Sequence, residues 1–159
     1  MMEFYNVVHK TMHQGKSPGN DGLTVGYYQL AWKYIKDFLF KSIQEGLHKG
    51  QLTTSQRQSV IRLIEKQGKD RLFLKNWRPI SLLNVDTKIL AKALADRLKK
   101  VLNKLIDIEQ NAYVEGRNIH DGIRTIDQVI DYASKRGEKA AVLAIDFQKA
   151  LDSIEHDYI

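Results

Sequence analysis

One aspartate stands where chemistry could be done. In Ala140 to Asp152, AAVLAIDFQKALD, an apolar run from Ala140 to Ile145 leads directly into Asp146. A run apolar on both faces suits a strand buried within a sheet, and a carboxylate at its C-terminal end can ligate a hard cation such as magnesium, which takes few protein oxygens beside phosphates. Metal-assisted phosphoryl chemistry is one reading. The other is that Asp146 ends the strand or caps a turn, as Asp commonly does. Neighbouring acids do not decide between them: Asp152-Ser153-Ile154-Glu155 has the pattern of a capping box, so Asp152 is more simply a helix N-cap than a second ligand. A phosphatase built on an aspartate nucleophile would want a further acid where Gln148 stands.

A second group of chemistry-bearing residues is cationic. Ser59 to Glu65 is rich in β-branched and aliphatic residues, Lys66-Gln67-Gly68-Lys69-Asp70 is a charged turn, and Arg71 to Trp77 follows before Arg78-Pro79-Ile80-Ser81-Leu82-Leu83. Two extended segments around a glycine turn predict a β-hairpin, with Pro79 pushing its neighbourhood to an edge. Such a hairpin carries Lys66, Lys69, Arg71, Lys75 and Arg78. It is either a clamp for phosphates, in which Arg supplies bidentate contacts, or a solvated basic edge that discourages aggregation. Gly15-Lys16-Ser17 is not a phosphate-binding P-loop: there Gly-Lys-Ser/Thr comes last, directly before a helix, whereas here Pro18 follows.

Helices must position these groups. A short helix is expected over Phe4 to Met12, ended by the breaker-rich loop Gly15 to Gly22. From Thr24, a candidate N-cap, to Lys49-Gly50, the residues Tyr28, Ala31, Trp32, Ile35, Phe38, Leu39, Ile43 and Leu47 recur at helical spacing and predict a long amphipathic helix with an apolar core face. Val85 to Ile106 is the clearest helix, with Val85, Ile89, Leu90, Ala93, Leu94, Leu98, Val101, Leu102, Leu105 and Ile106 on one face and Lys88, Lys92, Arg97, Lys99, Lys100 and Lys104 on much of the rest. That basic face is a nucleic-acid track or a solvated surface. A further helical pattern, Ile119 to Ala133, ends at Lys135-Arg136-Gly137.

The 159 residues amount to about one domain. A net charge of +6 and a pI near 9.4 favour a polyanionic partner. With no cysteine, disulfides and thiolate metal sites are excluded. His9, Lys10 and His13 interrupt the start before a signal-peptide core could form, and no run reaches the ~18 apolar residues of a membrane span. A soluble, intracellular chain, cytoplasmic or nuclear, is expected.

In order and spacing, several of these stretches resemble the reverse transcriptase domain of non-LTR (LINE-type) retrotransposons. They are KSPGNDGL at Lys16 to Leu23, IRLIEKQGKD at Ile61 to Asp70, NWRPISLLNVDTKILAKALADRLKKVL at Asn76 to Leu102, QNAYVEGRNIHDGI at Gln110 to Ile123 and AIDFQKALDSIEH at Ala144 to His156. The resemblance implies an α+β fold: the fingers, about residues 16–138, and the start of the palm, about 139–159, of a right-hand polymerase. It would be helix-rich, with a β-hairpin and a central apolar strand near the C-terminus.

By the same resemblance, Asp146 and the backbone of Phe147 bind catalytic Mg2+. Arg78 and Lys66 meet the incoming deoxynucleoside triphosphate, and Arg97 and Arg117 touch template or structural phosphates. The partners implied are an RNA template and a DNA primer. Leu151 stands where the family usually has Phe or Tyr beneath the sugar, which puts discrimination against a 2′-hydroxyl in doubt. The family's later Tyr-x-Asp-Asp hairpin does not occur in the sequence, and two-metal transfer needs ligands for ions about 3.5–4 Å apart. The expectation is a polymerase fragment, lacking the remaining palm and thumb segments, with little activity alone and an exposed apolar patch. The alternative is a non-catalytic, basic nucleic-acid-binding module.

Overall fold

The computed structural model describes residues 1–147, 150, 153–155 and 157. The chain divides into two compact units, Met1–Leu105 and Ile106–Ile159. Charge is divided as unevenly as the fold. Residues 1–105 hold 19 of the 25 Lys and Arg and 8 of the 19 Asp and Glu, a net +11, while residues 106–159 carry a net −5.

The first unit is built on helices. Helix α1 (Met2–Asn6) runs into a π-helical turn over Val7–Thr11, and α2 (Val25–His48) starts where the Thr24 side chain accepts from the Tyr27 N–H at 3.4 Å. The short α3 (Thr54–Arg57) begins in a reciprocal capping box between Thr53 and Gln56. The antiparallel strands β1 (Ser59–Glu65) and β2 (Trp77–Leu83) follow, then α4 (Val85–Leu105). The core lies among three helical segments: Phe4, Val7 and Val8 from the N-terminal turn, Tyr28, Trp32, Leu39 and Ile43 from α2, and Val85, Ile89, Leu90 and Ala93 from α4. Apolar burial at helical spacing is what fixes these helices together.

Two sequence expectations about these faces need correction. Phe38 is 77% exposed and Leu47 is also exposed, so neither belongs to the core of α2. Phe38 lies about 100° round the helix from buried Leu39 and instead joins Tyr27, Leu30 and Tyr34 in an exposed row. On α4 only the first half of the expected apolar face is buried; Leu94, Leu98, Val101 and Leu105 are exposed.

The hairpin is present, with its second strand shifted. β2 starts at Trp77, so Arg71 to Asn76 belongs to the tip, which contains a 3-10 turn at Leu74–Asn76. Pro79 sits within β2, opposite Leu63; in a sheet of two strands each has an outward edge where a missing N–H costs no ladder bond.

In the second unit, α5 (Ile119–Arg136) is capped by Asn118, whose side chain accepts from the His120 N–H at 3.0 Å. It closes on Gly137 at φ +67°, with Glu138 N–H bonded to Ala133 O and Gly137 N–H to Ser134 O. The expected buried strand at Ala140 to Ile145 does not form: 140–147 is irregular, and Val142, Leu143, Ile145 and Phe147 are exposed. A strand needs a neighbour to pair with its N–H and C=O groups, and the described residues supply none. The capping box expected at Asp152 falls outside the described residues, because Asp152 is not among them.

Candidate functional site

The basic hairpin is the most distinctive surface of the first unit. Cross-strand pairing of Val60 with Leu82, Arg62 with Ile80 and Ile64 with Arg78 puts Arg62 and Arg78 on one face, as diagonal neighbours. The opposite face holds Ile61, Leu63, Pro79 and Ser81. All of Ser59 to Ile64 and Arg78 to Ser81 are exposed, so neither face is covered. Arg62 was not among the cations the sequence singled out. Its signal was the period-2 alternation of β1, visible only once the register with β2 is known.

The tip orders itself through its own polar groups. Trp77 donates its indole N–H to Arg71 O at 2.9 Å, Asn76 Nδ2 donates to Asp70 O at 2.7 Å, and Asp70 Oδ1 accepts from Leu72 N–H at 2.9 Å. Arg71 forms an ion pair with Glu65, and Lys75 lies 5.3 Å from the centre of the Phe73 ring. Lys66 donates its ammonium to Lys75 O at 2.8 Å. Arg78 makes no side-chain hydrogen bond or ion pair among the described residues.

Below the hairpin a single buried amide joins three segments. Asn84, 1% exposed, accepts from Asp21 N–H at 3.3 Å through Oδ1 and donates from Nδ2 to Ser55 O at 3.0 Å and Ser55 Oγ at 3.2 Å. Its carbonyl receives Lys88 N–H at the start of α4, and Thr87 Oγ1 donates to Gln56 O at 2.8 Å. The Lys88 ammonium donates to Ser17 O at 3.1 Å. Gly19 is pressed so close that a methyl there would overlap Asn84 and stand 2.6 Å from the carbonyl carbon of Leu83. The junction thus ties the loop before α2 to both ends of the hairpin.

Along α4, Arg97 is engaged by Glu3, which accepts at 3.0 and 3.2 Å from Nε and at 2.5 Å from Nη2. The Arg97 guanidinium holds the Glu3 carboxyl below its ordinary range, and Glu3 in turn raises Arg97. Lys92 pairs with Asp96 at 3.0 Å. Burial, reinforced by the Asp86 and Asp21 charges, pushes the Tyr28 hydroxyl well above the usual tyrosine value.

In the second unit Arg117 is turned inward on its own loop. Its guanidinium donates to the carbonyls of Ile106 at 2.8 Å, Gln110 at 2.9 Å and Asp107. Beside it, Ile108, Asn111, Arg117, Ile119, Ile123 and Ile126 help line an open groove along the apolar face of α5. Asp146 lies in irregular chain with an exposed side chain. Among the described residues no three His, Cys, Asp or Glu side chains gather where they could hold a cation. Asp146 has the oxygen chemistry for magnesium, but it is one ligand where several are needed. Leu151 lies outside the described residues.

Comparison with known proteins assigns a family to the part of the chain that carries most of these side chains. Residues 64–159 match the family described as reverse transcriptase (RNA-dependent DNA polymerase). The chain belongs to that family. Lys66, Arg78, Arg97, Arg117, Asp146 and Leu151 all fall within the matched residues, whereas the glycine loop and α2 precede them. Among curated proteins the chain is similar to the transposon TX1 uncharacterized 149 kDa protein of Xenopus laevis, at 40% identity over 150 residues, 94% of this chain and 11% of the relative. It is 29% identical over 147 residues, 90% of this chain and 19% of the relative, to a Pol polyprotein of the type-1 retrotransposable element R2 from Popillia japonica. It is 26% identical over 103 residues, 64% of this chain and 11% of the relative, to a probable RNA-directed DNA polymerase from transposon BS of Drosophila melanogaster. The chain therefore spans between about a tenth and a fifth of these relatives' lengths. The motif resemblance to non-LTR retrotransposon reverse transcriptases holds. No helix of the described residues is long and apolar enough to cross a membrane.

Proposed function

We propose that this reverse transcriptase segment supplies the fingers and the beginning of the palm of a right-hand polymerase that copies an RNA template onto a DNA primer. In this reading Arg78, helped by Arg62 on the same face, grips the triphosphate of the incoming deoxynucleotide, and Lys66 stands at the base of the tip. Asp146, with the backbone of Phe147, contributes ligands to catalytic Mg2+ once the later carboxylates join it. Arg97 and Arg117 sit near template phosphates, and Leu151 faces the sugar. The observation that carries the reading is the family match over residues 64–159, which takes in the hairpin's tip and second strand, with Lys66 and Arg78, and also Asp146, while Arg62 precedes it. The exposed Arg78 on an uncovered hairpin supports it, because a guanidinium not engaged in the fold is available for bidentate contact with phosphate.

A second reading, a basic nucleic-acid binder without catalysis, is favoured by the net +11 of residues 1–105. Primer extension on an RNA template separates the two, using the chain alone and in a polypeptide extended to the length of its relatives. Magnesium-dependent incorporation by the extended form, abolished by Asp146→Ala, is the expected result. Salt-sensitive RNA binding with no incorporation would instead establish the binder.

A further inference from the structure

We infer that Asn84 is a positioning residue for the hairpin, and that the Gly19 loop sets the hairpin's direction through it. The inference rests on the reading of the hairpin as a nucleotide grip. Two strands exposed on both faces have no packed layer to aim them, so their orientation is decided at the root. Both ends of that root meet one side chain. Ser55 lies shortly before β1, Leu83 ends β2, and Asn84 bonds the first while directly following the second. The same amide receives Asp21 N–H from the glycine loop, and the space beside it admits no more than the hydrogen of Gly19.

The hairpin acts as a lever on this root. Arg78 lies five residues out from Leu83 along β2, about 17 Å at the rise of a strand, so a tilt of about 5° at the root moves its Cα by about 1.5 Å. Displacements of that order matter where a group must meet a reacting phosphate. Asn84 can hold the tilt because it is buried and because its amide is satisfied at both ends: Oδ1 toward the loop, Nδ2 toward Ser55. Asn84→Asp removes the donor to Ser55 while keeping the volume. Gly19→Ala pushes on the same point from the far side.

The test is whether a change in the loop is felt in the hairpin. Amide hydrogen exchange on the 159-residue chain is compared for wild type, Gly19→Ala, Asn84→Asp and the control Gly22→Asn. Gly22 sits at φ +71° with open space for at least 4 Å around where a Cβ would stand, and Asn tolerates that backbone region. Gly19→Ala and Asn84→Asp are each expected to speed exchange at Ser55 to Arg57 and along the β1–β2 ladder by at least about tenfold, with Gly22→Asn at wild-type rates. In primer extension by the extended polypeptide, the same two variants raise KM for deoxynucleotide with kcat changed far less. Exchange in the Gly19→Ala chain that rises only within residues 16–23 overturns the proposal, as does an unchanged KM in both variants. Arg78→Ala in the same assay keeps the two claims apart. An unchanged KM there defeats the nucleotide grip itself, whereas a raised KM there with none in Gly19→Ala or Asn84→Asp defeats the positioning role alone.

Discussion

Asn84 condenses at the scale of one residue what composition could not reveal. Its side chain meets partners 29 and 63 residues away in sequence, and no local pattern encodes such distances. Truncation to Ala would leave Ser55 O and Asp21 N–H without their buried partner, so Asn84→Ala is expected to cost about 2–3 kcal/mol in urea unfolding. Two ionisable residues give the fold a pH dependence whose sign is fixed. The Glu3 pKa is lowered by Arg97, so its contribution is present above the ordinary value of 4.5 and lost as pH falls through the depressed folded value. Tyr28 is raised by burial, so its contribution is complete below the ordinary value of 10.0 and lost as pH rises past it. Thermal melts against pH should show Glu3→Gln flattening the acid limb and Tyr28→Phe the alkaline limb; limbs unchanged in both variants would refute the assignments.

The elements divide into those whose ends and faces are chemically marked and those that depend on distant pairing. The end of α5 was legible, because Gly137 does there what the lack of a side chain favours, whereas the Asn118 cap at its start was not singled out. Gly137→Ala forces a Cβ into the left-handed region, and a loss of about 1–2 kcal/mol from the second unit is expected in denaturant unfolding. The Thr53–Gln56 capping box was equally legible yet unread, because α3 spans four residues and shows no hydrophobic period. The run at Ala140 to Ile145 misled for the opposite reason. Its β-forming character is intrinsic, but a strand is a property of two segments, and the second is not among the described residues. The start of β2 was displaced because the tip is held by side-chain to backbone bonds at Asp70, Asn76 and Trp77, which alternation does not register.

At the scale of the whole molecule, the candidate site was legible as chemistry and only partly as geometry. The sequence pattern identified the hairpin and its cations, but not that Arg71 and Lys66 are occupied within the tip while Arg78 is free of partners among the described residues. The modest net +6 concealed a basic first unit and an acidic second one. RNA affinity should accordingly fall with added salt and persist in a chain carrying Asp127→Ala and Asp131→Ala, while charge removal at Lys99, Lys100 and Lys104 together lowers the slope of log K against log salt by about 2 to 3. Anisotropy titrations across salt concentrations would measure it, and a salt-independent affinity would exclude a backbone contact.

The most direct measurement is the KM for deoxynucleotide in RNA-templated primer extension by the extended polypeptide, comparing Arg78→Ala with Arg71→Ala. Loss of a bidentate phosphate contact predicts that Arg78→Ala raises KM on the order of tenfold or more, while Arg71→Ala, which breaks only the pair with Glu65, leaves it within about twofold. Equal KM values for Arg78→Ala and wild type would contradict the hairpin's role as the nucleotide grip.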